Sequence, residues 1–195
     1  MLGSACGLGI EGSGWIIAPG LVVTNAHVVA GESDTVVQDG GHSPSLTAVP
    51  VSFNTRDDIA LLRVPGLSEP ALSVASARGV GTAAAILGYP EDGPFDAEPG
   101  RIGRTLDVRT QDAYGRGSIV RSITPMRGLV RPGNSGGPMV DAAGQVVATV
   151  FAAVTGGAAS GQGPGGFAVP NALVLSALAQ ARGRTGPIST GACAG

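Results

Sequence analysis

Short apolar segments rich in β-branched residues recur along the first half of the chain, and turn signals separate them. Pro19-Gly20 and Pro65-Gly66 end two of these segments, and Pro90 ends another. The predicted strands cover residues 14–18, 21–24, 35–37, 46–53, 59–64 and 83–89. Residues 27–31 are similarly apolar and are also predicted to be extended. Strands at short, regular spacing with turns between them favour an antiparallel barrel or sandwich.

A polar interruption divides this pattern nearly in half. Residues 91–100 contain four acidic residues, two prolines and two glycines, and they are predicted to be a linker. We therefore expect two lobes, covering residues 1–95 and 96–195. Beyond the interruption, strands are predicted at residues 101–109, 117–124, 139–140 and 145–154, followed by a Gly-rich loop at 156–166.

The last element is the only one with helical periodicity. Apolar residues recur at helical spacing at Val174, Ala177, Leu178 and Ala181, which predicts a helix over residues 171–182. Asn171 is its expected cap, and Gly183 its expected stop.

Composition and charge exclude several classes of protein. Hydrophobic residues make up 43% of the 195 residues and charged residues 13%, which excludes a disordered, charge-solvated chain. The net charge of -2 gives no field that would attract nucleic acid or an anionic membrane. No apolar run is long enough to span a membrane, and the first residues lack a signal peptide. We expect no nucleic-acid partner and no membrane contact by this domain, and we suspect a membrane anchor outside this chain.

The sequence predicts neither a metal site nor a cofactor. The two cysteines, Cys6 and Cys193, form no CxxC motif and no zinc-type cluster. They are either two free thiols or one bridge that ties the chain ends together, and we favour the bridge, which requires an oxidising compartment. Residues 7–12 match the dinucleotide pattern GxGxxG, but that pattern needs a preceding strand and a following helix. Only six residues precede it here, so no nucleotide cofactor is expected.

A serine between glycines is the most informative feature of the second half. Ser135 lies in the segment Gly133-Asn134-Ser135-Gly136-Gly137-Pro138. Glycines free the backbone to take unusual dihedral angles and leave the hydroxyl unshielded. Such a turn can direct successive N–H groups at one point, as an oxyanion hole requires. The segment on its own could equally be a flexible loop, so a nucleophilic role for Ser135 needs a base and an orienting acid.

His27 and Asp58 are the best candidates for that base and that acid. The chain has only two histidines, and His42 lies in a polar turn, whereas His27 follows an apolar segment and needs a polar partner. Asp58 precedes a strongly apolar run, and its neighbour Asp57 is the alternative. Because side chains alternate along a strand, only one of the two can face inward. We choose Asp58, which gives the order His27, Asp58, Ser135.

Four segments together resemble the chymotrypsin-fold, or trypsin-like, serine proteases and, among these, the HtrA-like branch. They are residues 12–17, 24–29, 57–62 and 133–138. Residues 166–170, before the terminal helix, resemble the same branch. The resemblance implies an all-β fold of two six-stranded antiparallel β-barrels with a C-terminal helix and an active site between the barrels.

The resemblance also implies roles for individual residues. His27, Asp58 and Ser135 would form the catalytic triad, and the N–H groups of Gly133 and Ser135 would form the oxyanion hole. Asn134 replaces the aspartate that pairs with a new N-terminus in members activated by proteolysis, so we do not expect that activation. The loops at residues 109–118 and 155–165 are the expected sites of order–disorder control instead.

Substrate preference follows from the same resemblance. Leu129 takes the position at the floor of the primary specificity pocket, Val130 follows it, and Gly166 leaves a wall open. A pocket without a carboxylate predicts cleavage after a small-to-medium apolar residue. The substrate backbone would pair with the edge near residues 151–154.

The expected function is therefore hydrolysis of protein or peptide substrates by a serine endopeptidase. Two alternatives remain open. One is a protease-like fold that acts as a binding or scaffold module, and the other is an esterase of the same chemistry. Modules of the first kind usually lack a triad residue, and here none is missing.

Overall fold

A computed structural model describes residues 1–41, 44–153, 164–184 and 186–193 of the chain. In the first half, eight short strands form two antiparallel four-stranded sheets. One sheet has the order β2-β1-β5-β6 and the other β3-β4-β8-β7. The strands are β1 (Leu2–Ala5), β2 (Leu8–Glu11), β3 (Trp15–Ala18), β4 (Leu21–Thr24), β5 (Val36–Gln38), β6 (Ser45–Thr47), β7 (Val49–Asn54) and β8 (Ile59–Arg63).

The second half is built around a closed barrel. Its sheet has the order β10-β9-β13-β14-β15-β12-β11, and β10 also pairs with β12, so that six strands close into a ring with β11 beside it. The strands are β9 (Ala83–Gly88), β10 (Asp96–Ile102), β11 (Leu106–Thr110), β12 (Ile119–Arg127), β13 (Pro138–Asp141), β14 (Val146–Ala153) and β15 (Gly165–Pro170). The expectation of an all-β, chymotrypsin-like fold with two barrel-like domains is confirmed.

The predicted linker at residues 91–100 is wrong in its second half. Residues 96–102 form strand β10, which pairs antiparallel with β9 from Asp96 opposite Gly88 to Arg101 opposite Ala83. The acidic and proline residues misled the prediction, because Asp96 and Glu98 are half-buried in this strand and alternate with the exposed residues Ala97 and Pro99. Strand β9 thus belongs by pairing to the second barrel, across the predicted division at residue 95. We propose that the boundary between the lobes lies within residues 66–82.

The described residues form two α-helices, α1 (Ala26–Val29) and α2 (Asn171–Ala181), and two short 3-10 helices, Asp39–Gly41 and Pro90–Asp92. The extended segment predicted at residues 27–31 is wrong, because α1 covers its first three residues. Helix α2 agrees with the prediction except for its cap, since Pro170 takes the N-cap position and Asn171 is the first helical residue. Asn171 Nδ2 instead donates to the carbonyl oxygen of Val146, at 2.8 Å. Gly183 follows the helix with a positive φ of 86°, in agreement with the predicted stop.

The core that joins the two barrels also carries helix α2. Trp15, Leu61, Val146, Val169 and Val174 are all buried in one cluster that draws on both halves and on the helix. Trp15 Nε1 donates to Thr149 Oγ1 across this boundary, at 3.1 Å. The barrels are therefore held together by a shared apolar core.

The structure joins Cys6 and Cys193 in a disulfide, with their Cα atoms 6.1 Å apart. The segment that carries Cys193 lies on the first barrel just beyond helix α1. Thr190 accepts a hydrogen bond from Gly31 N through its carbonyl oxygen and donates from Oγ1 to the carbonyl oxygen of Glu32. The bridge thus holds the C-terminal segment against the loop that follows His27.

We expect reduction of this disulfide to lower the melting temperature by roughly 5 to 15 °C. The bridge encloses almost the whole chain, with a sequence separation of 187 residues. Native disulfides contribute about 2–4 kcal/mol, and each kcal/mol shifts a domain of this size by about 2–4 °C. Fluorescence of Trp15, the single tryptophan, measures the transition with and without reductant. A Cys6→Ala, Cys193→Ala double variant is the control, since reductant should leave its transition unchanged. Two freely alkylated thiols in the unreduced protein would contradict the expectation.

Candidate active site

Asp58 holds His27 by two hydrogen bonds. The backbone N–H of His27 donates to Asp58 Oδ1 at 2.9 Å, and His27 Nδ1 lies 2.8 Å from Asp58 Oδ2. Asn25, directly before helix α1, donates from Nδ2 to the carbonyl oxygen of Asp58 at 2.8 Å. Asp58 has a positive φ of 56°, which is uncommon for a residue other than glycine and typical of functional sites. The carboxylate is therefore fixed relative to the imidazole in both position and direction.

Burial differs between the two members of this pair. The Asp58 side chain is 3% exposed, whereas the His27 side chain is 30% exposed. The imidazole thus has its Nδ1 edge against a buried carboxylate while part of the ring faces solvent. This arrangement suits a base that must reach a substrate.

Asp57, the alternative acid, faces elsewhere. Asp57 Oδ2 accepts a hydrogen bond from Asn54 Nδ2 at 2.8 Å, and Asp57 N donates to Asn54 Oδ1 at 3.0 Å. These contacts close the turn between β7 and β8. The structure therefore brings Asp58, and not Asp57, to His27. The other histidine, His42, lies outside the described residues.

Ser135 lies in a tight turn between β12 and β13. Gly133 and Gly136 have positive φ values of 87° and 85°, which other residues adopt only with strain. Ser135 Oγ lies 3.4 Å from the carbonyl oxygen of Phe151. Among the described residues, no hydrogen bond joins His27 to Ser135. In free enzymes this contact is often long and tightens only when substrate binds.

Two backbone N–H groups beside Ser135 are available to a ligand. Within the described part of the chain, neither Gly133 N nor Ser135 N donates a hydrogen bond to the protein. Gly133 is buried, and a Cβ added to it would lie 2.5 Å from the carbonyl oxygen of Tyr89. Glycine is therefore required here both by φ and by space. Two unpaired donors that flank one serine can bind a developing oxyanion.

Asn134 stabilises this turn from inside. Its side chain is buried, and its Oδ1 accepts a hydrogen bond from Arg131 N at 2.8 Å. The Arg131 side chain in turn forms ion pairs with Asp96 and Glu98 on β10. The turn is thus braced by neutral and charged contacts within the chain.

The three predicted pocket residues occupy different environments. Gly166 is buried, and a Cβ added to it would lie 2.8 Å from Val130 Cγ2 and 2.5 Å from the carbonyl oxygen of Ala152. Val130 is also buried, at 9% exposure, whereas Leu129 is 42% exposed. The structure therefore places Val130 and Gly166 in contact and leaves Leu129 nearer to solvent.

Arg121, a buried cation close to this site, was not among the predicted site residues. Its guanidinium lies over the ring of Phe151, with Cζ 4.5 Å from the centroid, and Nη1 donates to the carbonyl oxygen of Arg56 at 3.4 Å. Burial lowers the pKa of Arg121, while the negative charge of Asp58 opposes that shift. The Arg56 side chain donates to Val120 O in return, at 2.9 Å. In the sequence, the one signal for a buried role of Arg121 was its charge within a strand rich in β-branched residues.

The loop predicted at residues 109–118 links both halves of the molecule. Ala113 N donates to the carbonyl oxygen of Thr55 at 2.8 Å, and Tyr114 Oη donates to that of Thr190 at 3.0 Å. It therefore contacts both the turn that precedes Asp58 and the segment of the disulfide. Of the second loop, residues 155–165, only the last two lie within the described residues.

The described residues contain no group of three His, Cys, Asp or Glu residues that could hold a metal ion. None of their helices has the length and apolar character needed to cross a membrane.

Comparison with known proteins points to one family. The model of the trypsin-like peptidase domain matches residues 12–148. Serine protease Rv3671c of Mycobacterium tuberculosis is 38% identical over 194 residues, which is 98% of this chain and 47% of that protein. A probable periplasmic serine endoprotease, DegP-like, of Chlamydia pneumoniae is 29% identical over 84% of this chain and 33% of its own length. The chain thus spans half or less of the length of these relatives.

A solved structure gives the same result. The crystal structure of the Rv3671c protease from M. tuberculosis in its active form has a TM-score of 0.90 and 36% identity, covering all of this chain and 84% of that one. The two end cysteines and the arginine-only basic residues of this chain also predict a narrower resemblance, to this same protease, which is also known as MarP, and the identity over almost the whole chain confirms it. The chain belongs to the trypsin-like serine proteases, in their HtrA-like branch.

Proposed function

We propose that this domain is a serine endopeptidase that cleaves peptide bonds in protein substrates through His27, Asp58 and Ser135. The observation that carries the proposal is the double hydrogen bond between Asp58 and His27, which fixes the imidazole at Nδ1 and leaves Nε2 for the serine. A triad is recognised by such geometry and by the roles of its members, rather than by sequence position.

The proposed reaction proceeds through an acyl-enzyme. Ser135 Oγ attacks the peptide carbonyl carbon while His27 Nε2 takes its proton, and the carbonyl becomes a tetrahedral oxyanion. His27 then gives the proton to the leaving amine as the C–N bond breaks, and the acyl group stays on Ser135. A water molecule, deprotonated by His27, repeats the attack and releases the acid. Asp58 holds the imidazole tautomer and stabilises the imidazolium.

Gly133 and Ser135 would stabilise the oxyanion by their backbone N–H groups. Loss of a single donor of this kind typically costs about 3–4 kcal/mol of transition-state stabilisation. The unpaired state of both N–H groups among the described residues supports this role.

Leu129, Val130 and Gly166 would line the primary specificity pocket. The contact between Val130 and Gly166 supports their part in this assignment. None of the three can pair a basic side chain, so the preferred substrate residue is small to medium and apolar. The substrate backbone would pair along residues 151–153 at the end of β14. Val154, the last residue of the predicted edge, lies outside the described residues.

The proposed location is extracytoplasmic or periplasmic. The disulfide and the periplasmic name of the Chlamydia relative support it. The partners are protein or peptide substrates, and a membrane anchor would belong to a part of the protein outside this chain. The similarity to MarP extends the proposal to a role in resistance to acid or other stress.

A fluorophosphonate probe tests the proposal directly. We expect it to label the unmodified protein at Ser135 and to leave a Ser135→Ala variant unlabelled. Ser176→Ala, at an exposed serine on helix α2, is the matched control and should be labelled like the unmodified protein. The unmodified protein should also hydrolyse a casein-type substrate before labelling, and labelling should abolish that hydrolysis. Absence of labelling in a folded, disulfide-bonded sample would favour the binding-module alternative.

A further inference from the structure

Ser13, between β2 and β3, contacts the backbone on both sides of Ser135. Its side chain is buried, and its Oγ donates to the carbonyl oxygen of Gly133 at 2.7 Å. Its own N–H donates to the carbonyl oxygen of Ser135 at 2.8 Å. A residue of the first half thus forms hydrogen bonds with two carbonyl groups of the turn that contains Ser135.

The direction of the Ser13 hydroxyl is fixed by its second partner. Tyr89 N donates to Ser13 Oγ at 3.0 Å, and a backbone N–H can only donate. The hydroxyl therefore accepts from Tyr89, and its single proton is left for Gly133. Ser13 is in turn held by Thr24 Oγ1, which donates to the Ser13 carbonyl oxygen at 2.9 Å.

These contacts determine how the peptide groups of the turn are oriented. The carbonyl oxygen of Pro132 accepts a hydrogen bond from Glu91 N at 2.9 Å. Because C=O and N–H point in opposite directions in a trans peptide, the N–H of Gly133 faces away from Glu91. The next peptide is held by Ser13 through the Gly133 carbonyl. Asn134 N donates to the carbonyl oxygen of Arg131 at 3.1 Å, so Ser13 and Arg131 hold the two ends of the peptide that joins Gly133 to Asn134. Without Ser13 that peptide keeps one contact, beside a glycine whose φ of 87° restrains it little.

The surroundings leave room for a side chain of this size only. A Cβ added to Gly88 would lie 2.8 Å from Ser13 Oγ, and one added to Gly137 would lie 3.1 Å from Ser13 Cβ. Gly88 and Gly137 thus leave space for the Ser13 side chain between the end of β9 and the turn that contains Ser135.

We propose that Ser13 is a positioning residue, which helps to align the N–H groups of Gly133 and Ser135 by holding the two peptide groups on either side of the one that carries the Ser135 N–H, at the Gly133 and Ser135 carbonyls. The inference rests on the proposed function, because it assumes that these N–H groups bind the oxyanion. Ser13 does not touch the substrate, so it acts on the transition state through Gly133.

The test compares Ser13→Ala with Thr149→Val in the disulfide-bonded protein. Both substitutions remove one buried hydroxyl that forms a hydrogen bond across the two halves, but only Ser13 contacts the serine turn. We expect Ser13→Ala to lower kcat by about 10- to 100-fold with KM changed less than about threefold, somewhat less than complete loss of an oxyanion donor. Affinity for a peptide boronate, whose tetrahedral adduct places an oxygen in the oxyanion hole, should fall by a similar factor. Thr149→Val should keep kcat within about threefold.

A second variant covers a folding failure of the first. Ser13→Gly also removes the hydroxyl and adds no bulk to this confined site, and its kcat should fall at least as far as that of Ser13→Ala. Thermal unfolding of all variants separates lost stability from lost catalysis. Equal kcat values in Ser13→Ala and Thr149→Val would overturn the role of Ser13 alone. Failure of the unmodified protein to react with the fluorophosphonate probe would instead overturn the proposed function, and this inference with it.

Discussion

Replacement of Asp58 by Asn is expected to lower kcat by about 10⁴-fold while the fold is kept. The geometry explains why so small a change has so large an effect. Asp58 Oδ1 accepts the backbone N–H of His27, so the amide oxygen of an asparagine must take that position. Its NH₂ group then faces His27 Nδ1 and donates to it. The proton of the imidazole is then forced onto Nε2, and a protonated Nε2 cannot accept the proton of Ser135.

Asp57→Asn is the matched control for this prediction. Asp57 is the adjacent carboxylate, but it contacts Asn54 in a turn rather than His27. Peptide hydrolysis by Asp57→Asn should stay within a few-fold of the unmodified protein, with both variants compared at equal folded concentration. If Asp57→Asn causes the larger loss, the assignment of the orienting acid to Asp58 is wrong.

The pair of His27 and Asp58 could be predicted because few histidines or carboxylates in this sequence lie next to an apolar segment that would bury them. One of only two histidines follows an apolar segment, and one of two adjacent carboxylates begins a buried strand. The local structure at His27 could not be predicted. Val28, Val29 and Ala30 look like a strand, yet the bond from His27 N to Asp58 Oδ1 favours a single helical turn. A tertiary contact thus overrides β propensity.

The residues that brace the site are less visible in the sequence than those that would react. Ser13 contacts Gly133, 120 positions away, through a backbone carbonyl that any residue would supply. Arg121 contacts the ring of Phe151, 30 positions away. Likewise, Asp96 and Glu98 suggested a solvated linker, although both lie on β10 and form ion pairs with Arg131. Polarity alone cannot distinguish an exposed loop from a hairpin strand whose charges have distant partners.

The proposed pocket predicts a strong preference at the residue before the scissile bond. A basic side chain that enters beside Leu129 and Val130 loses water and finds no carboxylate among the assigned pocket residues, which costs several kcal/mol. An apolar side chain gains roughly 1.5–3 kcal/mol from burial in the same place. Since 1.4 kcal/mol is tenfold, we expect Leu, Val, Met or Ala to exceed Arg by at least about 100-fold in kcat/KM.

Matched peptides that differ only at this residue measure the preference, and Leu129→Asp tests its origin. A carboxylate at position 129 should pair with an incoming Arg and narrow or reverse the ratio. Leu175→Asp is the control, because Leu175 is 45% exposed, close to the 42% of Leu129, and lies on helix α2. It adds the same charge outside the assigned pocket and should leave the ratio unchanged. If the unmodified enzyme prefers Arg, the placement of the pocket floor at Leu129 is wrong, and an acidic residue from a neighbouring loop must reach into the pocket.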